Sequence, residues 1–268
     1  MGVWDVSKLK VLDLFSGIGM FSYGLEKTGL YETVAFCEWD TKCREVLEKH
    51  WPNVQCYGDI QKLRGMKGVV KECYDQTHGY ELYVSRNVDV ITGGFPCQDI
   101  SSSGPKTGLS GERSSMWFHY LTLINDIKPK GVIIENVSAL QHRGLREVLY
   151  GLNSVGYDAE WHSITAKHLG ATHERDRTFI LAYPNGIRQQ GPWRPLESIH
   201  KEETRDRQTN IVQYALQRQS VPYLCGDHNG STGRLDRLKQ VGNTVYWPIV
   251  EQLGYHLHKN LQRMELIA

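Results

Sequence analysis

The stretch VLDLFSGIG, residues 11–19, decides the fold. Its first half is apolar and β-prone, and its second half is a glycine-containing turn that leads into a helical pattern. A strand that turns directly into a helix brings backbone N–H groups towards a ligand. Such a turn suits a nucleotide or nucleoside cofactor. It does not complete the GxGxxG pattern, because Ser22 occupies the third glycine position, so it identifies no particular cofactor by itself.

The same order of strand and helix recurs over the first two-thirds of the chain, which is typical of βαβ units and a mostly parallel sheet. We therefore expect an α/β fold with ligands at the carboxyl ends of the strands. A final helix is indicated by apolar residues between Val245 and Leu261, and it should pack back onto the sheet. The predicted strands are 10–15, 33–37, 88–92, 131–135, 159–164 and 178–182, and the predicted helices between them are 21–27, 41–49, 115–127 and 145–155.

Composition limits the class of protein. The 268 residues are 40% hydrophobic, enough for one large core, and a net charge of +1 means that any nucleic-acid surface must be local. No run approaches the roughly 18 to 20 apolar residues that span a bilayer, and no signal-peptide pattern is present, so we expect an intracellular protein without a membrane partner. Six cysteines without CxxC spacing predict neither a metal site nor a disulfide framework.

A polar segment, residues 183–239, concentrates the basic charge. It holds nine Arg and Lys against six Asp and Glu, a local balance of +3, with Trp193, Tyr214 and Tyr223 interleaved. Such a mixture is typical of a nucleic-acid surface. A solvated loop whose aromatic side chains pack on the main domain fits the same composition.

Two acids follow early strands. Glu38-Trp39-Asp40 ends the second strand, where an acid can accept hydrogen bonds from ribose hydroxyls and Trp39 offers a flat face for an adenine. Asp59, followed by Ile60, could bind the exocyclic amine of the base. The alternative for each is structural: helix N-caps for Asp40 and Asp59, and core packing for Trp39.

The sharpest signal is GGFPCQDIS, residues 93–101, directly after an apolar strand. The two glycines allow a substrate to approach, and Pro96 stiffens the backbone before the thiol of Cys97, which makes this thiol a candidate nucleophile. Its loop is open and polar, whereas Cys37 lies in an apolar strand and should be inert. A Cys/His protease is the obvious competitor, but no local cysteine-protease signature is present.

An acid and two arginines occur further along. Glu135 ends the apolar run GVII, so desolvation should raise the pKa of its carboxyl and let it hold or donate a proton. A helix cap is the alternative. Arg175 and Arg177 are two apart on an extended segment and can point the same way, towards phosphate or base oxygens. A solvated charge run would show the same pattern.

Taken in order, these motifs resemble those of the DNA (cytosine-5) methyltransferases across nearly the whole chain. The cofactor loop and the nucleophile loop of that family are the most specific matches. The similar stretches are DLFSGIGM (13–20), Glu38-Trp39, Asp59-Ile60, GGFPCQ (93–98), a divergent GERSSMW (111–117) that places Met116 beside the cofactor, ENV (135–137), HERDR (173–177) with His173 in place of Gln, and QVGNTV (240–245).

The resemblance implies a Rossmann-like S-adenosylmethionine methyltransferase fold. Its sheet would be mostly parallel and doubly wound with an antiparallel strand, plus a small irregular target-recognition insertion. Residues 1–182 would form the catalytic and cofactor-binding domain, 183–239 the recognition segment and 240–268 a returning C-terminal helix. The implied cofactor is S-adenosyl-L-methionine, with S-adenosyl-L-homocysteine as product. The implied partner is double-stranded DNA, bound by a cytoplasmic monomer of prokaryotic or phage origin.

The resemblance also implies roles for single residues. Cys97 would attack C6 of a flipped-out cytosine, Glu135 would hold N3, Arg177 the base carbonyl and Arg175 a phosphate. Water or a backbone-supported path would take the C5 proton. The remaining cofactor positions are Asp13, Phe15, Ser16, Gly17, Ile18, Gly19, Glu38, Trp39, Asp59, Ile60, Pro96, Met116, Asn243 and Val245, and the substrate positions are Phe95, Gln98, Ser101, Arg188, Arg194 and Arg205.

Three alternatives remain at this stage. A transfer-RNA cytosine-5 methyltransferase could use the same scaffold, a catalytically silent relative could bind DNA alone, and the glycine-rich turn would also fit a nicotinamide oxidoreductase. The sequence gives neither the DNA site nor whether the chain serves a restriction system, a phage or neither.

Overall fold

A computed structural model of the chain describes residues 7–66, 69–72, 86–96, 116–169, 176–185 and 245–267. Strands and helices alternate through most of these residues. The strands are β1 (Leu9–Leu14), β2 (Tyr31–Cys37), β3 (Gln55–Tyr57), β4 (Leu63–Met66), β5 (Val69–Glu72), β6 (Arg86–Asn87), β7 (Val90–Gly93), β8 (Gly131–Val137), β9 (Tyr157–Thr165) and β10 (Asp176–Pro184). The helices are α1 (Met20–Lys27), α2 (Thr41–His50), α3 (Met116–Ile127), α4 (Leu140–Arg143), α5 (Leu145–Ser154) and α6 (Trp247–Arg263).

Seven strands form one sheet in the order β3-β2-β1-β7-β8-β10-β9. The pairs from β3 to β8 are parallel, whereas β10 runs antiparallel to both β8 and β9. The predicted mostly parallel sheet with one antiparallel strand is therefore confirmed. Because β10 is reversed, its first residues lie at the same edge as the last residues of β1, β2, β7 and β8. We call this the carboxyl edge.

Helices cover both faces of the sheet. Successive side chains of a strand point to opposite faces, so Leu12 and Leu14 of β1 pack with α3 and α5, while Val11 packs with α1 and α6. The helices α1 and α6 approach closely, since a Cβ at Gly24 would lie 2.7 Å from the backbone oxygen of Trp247. The doubly wound architecture is confirmed by this two-sided packing.

The ends of the observed elements lie within two residues of the predicted ends. Four short strands were not predicted. β3 adds a seventh strand to the main sheet, and β4, β5 and β6 form a separate three-stranded sheet. They are two to four residues long, so they contain too few alternations for hydrophobic periodicity to reveal them.

The described residues also bear on membranes, metals and thiols. None of their helices is long and apolar enough to cross a bilayer, and none of their His, Cys, Asp and Glu side chains form a group of three or more suited to a metal ion. Cys37 and Cys43 are buried. Burial raises the pKa of the half-buried Cys56 to about 12, so its thiol is uncharged at neutral pH.

Candidate active site

The turn after β1 has the shape expected of a cofactor loop. Phe15, Gly17 and Gly19 all have positive φ angles, of 52°, 55° and 85°. A Cβ at Gly17 would meet nothing within 4 Å, so this part of the turn faces open space. A Cβ at Gly19 would lie 2.7 Å from the ring of Trp51, so this part is packed from behind. A positive φ at a phenylalanine is uncommon outside functional sites, where surrounding structure holds the strain.

Glu38 fixes the loop from the neighbouring strand end. Its carboxylate oxygens accept hydrogen bonds from the backbone N–H of Gly17 at 2.7 Å and of Asp40 at 2.8 Å. Burial raises the pKa of Glu38, and the two backbone donors oppose this shift. The predicted ribose acceptor thus lies directly against the open side of the cofactor loop.

Of the two residues that follow Glu38, one remains available for the cofactor and one has the structural role of a helix cap. Trp39 is 77% exposed, so core packing was wrong for this side chain. Asp40 caps α2 by accepting from the N–H of Lys42 and Cys43, as the structural alternative predicted. An exposed indole next to a half-buried carboxylate offers a stacking face and a hydrogen-bond acceptor, the two contacts expected of an adenosine site.

Two more predicted cofactor positions lie nearby. Asp59 caps a short 3-10 turn through one carboxylate oxygen, which accepts from the N–H of Gln61 at 2.9 Å, so its capping alternative is confirmed. Ile60 is buried. The side chain of Gln61 donates to the sulfur of Met116 at 3.9 Å, which links this turn to the start of α3. A role of Asp59 towards the base stays a prediction.

Asp13 differs from the other cofactor positions because its carboxyl is fully buried. It accepts hydrogen bonds from the hydroxyls of Ser22 at 2.8 Å and Thr92 at 3.2 Å. Burial raises the pKa of Asp13 to about 7, against the lowering effect of these two donors. Its side chain therefore faces the core and its partners there. One of these partners is Ser22, the residue that replaces the third glycine of the GxGxxG pattern.

The residues before Cys97 are held against β8. The side-chain amide of Asn136 donates to the backbone oxygen of Phe95 at 3.1 Å, and Phe95 packs on Trp117 with ring centroids 5.5 Å apart. A Cβ at Gly94 would lie 2.7 Å from Oε2 of Glu135. The backbone that leads to Cys97 therefore runs directly over the carboxyl group of Glu135.

Glu135 and Arg177 form an ion pair at the carboxyl edge. The Nε of Arg177 lies 2.7 Å from Oε1 of Glu135, and the two side chains are 22% and 12% exposed. The antiparallel pairing of β10 with β8, in which Arg177 opposes Val137, brings them together. Because Glu135 lies inside β8 and α4 has no side-chain cap, the helix-cap alternative was wrong.

Several predicted site residues fall outside the described residues. Among the described ones, Val245 is buried two residues before α6, and Pro96, directly before Cys97, is half-buried. Ser16 and Ile18 are buried within the cofactor loop. The positions outside the described residues are Cys97, Gln98, Ser101, Arg175, Arg188, Arg194, Arg205 and Asn243.

Sequence reasoning missed three supporting contacts. Glu26 accepts from the indole N–H of Trp51 at 3.0 Å and so holds the ring that packs behind Gly19. Asn136 tethers the backbone at Phe95. The side chains of Ser22 and Thr92 hold Asp13. For Asn136 the sequence held a signal, because a polar residue inside an apolar strand needs a partner.

Comparison with known proteins identifies one family. The profile of a family described as C-5 cytosine-specific DNA methylase matches residues 9–229. Type II methyltransferase M2.BsuMI of Bacillus subtilis is 31% identical over 182 residues, 65% of this chain and 42% of its own length. Type II methyltransferase M.Sau3AI of Staphylococcus aureus is 29% identical over 194 residues, 68% of this chain and 45% of its own. The chain thus spans less than half the length of these two relatives.

Solved structures agree on the fold. The S. pombe Dnmt2 methyltransferase gives a TM-score of 0.65 at 14% identity, covering 95% of this chain and 99% of that chain. A putative DNA modification methyltransferase encoded within a prophage of E. coli gives 0.53 at 22% identity, covering 69% of this chain and 49% of that chain. At such identities these two likenesses bear on the fold alone.

Proposed function

Since this chain belongs to the C-5 cytosine-specific DNA methylase family, we propose that it transfers a methyl group from S-adenosylmethionine to C5 of a cytosine in double-stranded DNA. The family membership confirms the resemblance found in the sequence motifs. The activity itself rests on one geometric observation. The carboxyl group of Glu135, paired with Arg177, lies against Gly94, three residues before Cys97.

In the proposed reaction the thiolate of Cys97 forms a bond with C6 of the cytosine. The electrons of the C5–C6 double bond shift to C5 and through C4 towards N3, where Glu135 holds the proton, and the guanidinium of Arg177 balances charge at the carbonyl oxygen. C5 thereby becomes nucleophilic enough to take a methyl group, with the thioether S-adenosylhomocysteine as the leaving group. Loss of the C5 proton to water and departure of the Cys97 thiolate then restore the ring.

The cofactor loop and its neighbours suit an adenosine-containing donor. S-adenosylmethionine supplies, when bound, a methyl group activated by a positively charged sulfur. In our proposal Glu38 binds the ribose hydroxyls, Trp39 stacks on the adenine and Gly17 leaves space for the ligand. The open face at Gly17, the exposed indole of Trp39 and the loop-facing carboxylate of Glu38 support this assignment.

DNA would be gripped by the basic segment 183–239, in which Arg188, Arg194 and Arg205 contact phosphates. The named relatives are type II methyltransferases, which supports DNA as substrate and a role in restriction and modification. Extrusion of the target base costs a few kcal/mol, which these contacts would offset. Neutralising the three arginines together should lower the slope of log affinity against log salt by about 2 to 3. An unchanged slope would mean that other residues contact the phosphates.

Methyl transfer by the Cys97→Ser variant tests the central assignment. Purified protein is incubated with tritiated cofactor and with either duplex DNA or transfer RNA as acceptor. We expect labelling of DNA by the wild type, none by Cys97→Ser, and retained DNA and cofactor binding. Cys56→Ser is the matched control, because this half-buried thiol is uncharged at neutral pH, and it should label DNA normally.

Two outcomes would overturn the proposal. Turnover by Cys97→Ser would exclude the thiol as nucleophile, and labelling of transfer RNA without DNA would change the substrate. Trapping on DNA that contains 5-fluorocytosine adds a direct readout, because only an active thiol leaves a lasting adduct. Absence of the adduct in an enzyme that still binds DNA would favour a catalytically silent DNA-binding protein.

A further inference from the structure

Three segments of the fold meet at one buried carboxyl group. Asp13, near the end of β1, is 0% exposed. Its Oδ2 accepts a hydrogen bond from Ser22 in α1 at 2.8 Å, and its Oδ1 accepts one from Thr92 in β7 at 3.2 Å. Among the described residues this buried carboxyl has hydroxyl partners but no countercharge, which is costly, so its contacts should serve more than the attachment of two strands.

Backbone pairing already attaches these strands. β1 and β7 are parallel, and Asp13 is the residue opposite Thr92. Leu14 likewise pairs with Gly93, at which a Cβ would lie 2.3 Å from the backbone oxygen of Leu14. The side-chain bonds therefore add something that the sheet does not provide, namely a fixed link from the strand ends to α1.

Each hydrogen bond leads to a different half of the site. Ser22 lies in α1, which starts directly after the open turn at Gly17. Thr92 comes two residues before Gly94, which lies against Glu135, and five residues before Cys97. The carboxyl group of Asp13 therefore accepts one hydroxyl from each half of the proposed site.

We propose that Asp13 is a positioning residue that couples the cofactor loop to residues 93–96, which lead to Cys97, through Ser22 and Thr92. This inference rests on the proposed function, because it assigns the two loops their roles. The sequence predicted that Asp13 contacts the cofactor, whereas here it supports the cofactor loop from the core. The ionised carboxyl group accepts from both hydroxyls at once, whereas a protonated one has fewer acceptor positions.

The charge of Glu38 raises the pKa of Asp13 further, so the titration of Asp13 is coupled to this neighbouring carboxyl group. Within the part of the chain that the structure describes, the titratable groups that interact with Asp13 are Glu38 at the end of β2, Cys56 in β3 and Tyr120 in α3. Burial raises the pKa of Cys56 to about 12 and that of Tyr120 well above its usual value, so both stay neutral between pH 6 and 8. Asp13, with a pKa of about 7, changes charge in this interval.

Two variants test the coupling in both directions. Thr92→Val removes a hydroxyl on the Cys97 side, and cofactor-side affinity is measured as the Kd of S-adenosylhomocysteine by calorimetry. Ser22→Ala removes a hydroxyl on the cofactor side, and the alkylation rate of Cys97 by iodoacetamide is measured by peptide mass spectrometry. We expect about a tenfold weaker Kd in the first and a several-fold changed rate in the second, the size of one hydrogen bond to a charged group.

Matched controls separate coupling from general damage. Thr33→Val changes another buried threonine, in β2, whose hydroxyl has no hydrogen-bond partner within the described part of the chain, and it should alter neither readout. Thr92→Ser keeps the hydroxyl and should restore the wild-type Kd. Because the Thr92 bond lowers the pKa of Asp13, Thr92→Val should also move the acidic limb of the activity profile to higher pH, and Thr33→Val should not.

The inference is overturned if Thr92→Val binds S-adenosylhomocysteine like Thr33→Val, or if Thr92→Ser is as defective as Thr92→Val. Should Thr92→Val fail to fold, the alkylation rate in Ser22→Ala decides, and an unchanged rate overturns the coupling. Failure of the proposed function is a separate result. It would appear as a wild type that binds the cofactor product but labels no DNA, while both coupling readouts remain measurable.

Discussion

Asp13 and Glu135 are two carboxyl groups in parallel strands of one sheet, but their surroundings differ. Asp13 is fully buried and accepts hydrogen bonds from two hydroxyls, whereas Glu135 retains 12% exposure and pairs with the guanidinium of Arg177. Hydroxyl groups bring no countercharge, and burial therefore raises the pKa of Asp13 to about 7. Arg177 gives Glu135 a charged partner that a substrate can share. The kind of partner, more than the position in the strand, separates a positioning carboxyl from one proposed to contact the base.

The largest expected effect follows from changing Glu135, the less buried member of this comparison. Glu135→Gln keeps the volume of the side chain but removes its charge and its proton. We expect a fall in methyl-transfer rate of about a hundredfold or more, with little change in DNA affinity, the usual range for loss of an acid–base group. Single-turnover kinetics and a DNA-binding titration measure the two quantities. Glu45→Gln, an exposed change on α2, is the control, and a wild-type rate in Glu135→Gln would remove its proposed role.

Arg177 should come next in size. Arg177→Lys keeps the charge but loses the planar guanidinium that reaches Glu135 at 2.7 Å. We expect the rate to fall by about ten- to a hundredfold, because a point charge cannot contact the carboxyl and the base carbonyl in the same geometry. If the rate of Arg177→Lys fell as far as that of Arg177→Ala, charge alone would be insufficient. Equal rates for Arg177→Lys and the wild type would contradict the geometric role.

The raised pKa of Asp13 can be tested through the pH dependence of the unfolding free energy. The folded-state pKa of Asp13, about 7, lies above its ordinary value of 3.8, so the folded state binds the proton more tightly than the unfolded chain. Stability from this group is fully present below about pH 4 and is lost as pH rises towards 7. Relative to Asp13→Asn, the wild type should therefore gain about 2 kcal/mol in unfolding free energy between pH 7.5 and 5.5. The unfolding free energies are measured by urea unfolding at both pH values. If they changed equally with pH in the two proteins, the raised pKa of Asp13 would be contradicted.

How far the sequence predicted this site depends on the range of the contacts. Glu38, Trp39 and Glu135 could be found because each follows a run of apolar strand residues, and such runs place their ends at one edge of a parallel sheet. Asp13 also lies in an apolar run, yet nothing local distinguishes a core carboxyl from one that faces a ligand. Its partner Thr92 is 79 residues away and becomes visible only with the register of β1 and β7.

Capping shows the same limit at short range. Asp40 and Asp59 are both caps, as their position before a helical turn predicts. Glu135 has a similar local context but lies inside β8, because the strand continues two residues beyond it to Val137. The two polar residues Glu135 and Asn136 predict the end of the strand as long as the partner strand is unknown. The pairing with β10 supplies that partner and brings Arg177 to the carboxyl.

The smallest effect concerns affinity on the cofactor side. Trp39 is 77% exposed, and Tyr150 in α5 is exposed to the same extent without a place in the site, which makes the two a matched pair. Trp39→Ala should weaken S-adenosylhomocysteine binding by about tenfold, the contribution of one aromatic stacking contact. Tyr150→Ala should leave it unchanged. Neither change should alter thermal stability, because little of either ring is buried. If both variants bound the cofactor product equally well, Trp39 would be an ordinary exposed aromatic, and Glu38 with the open turn at Gly17 would have to account for adenosine binding without a stacking face.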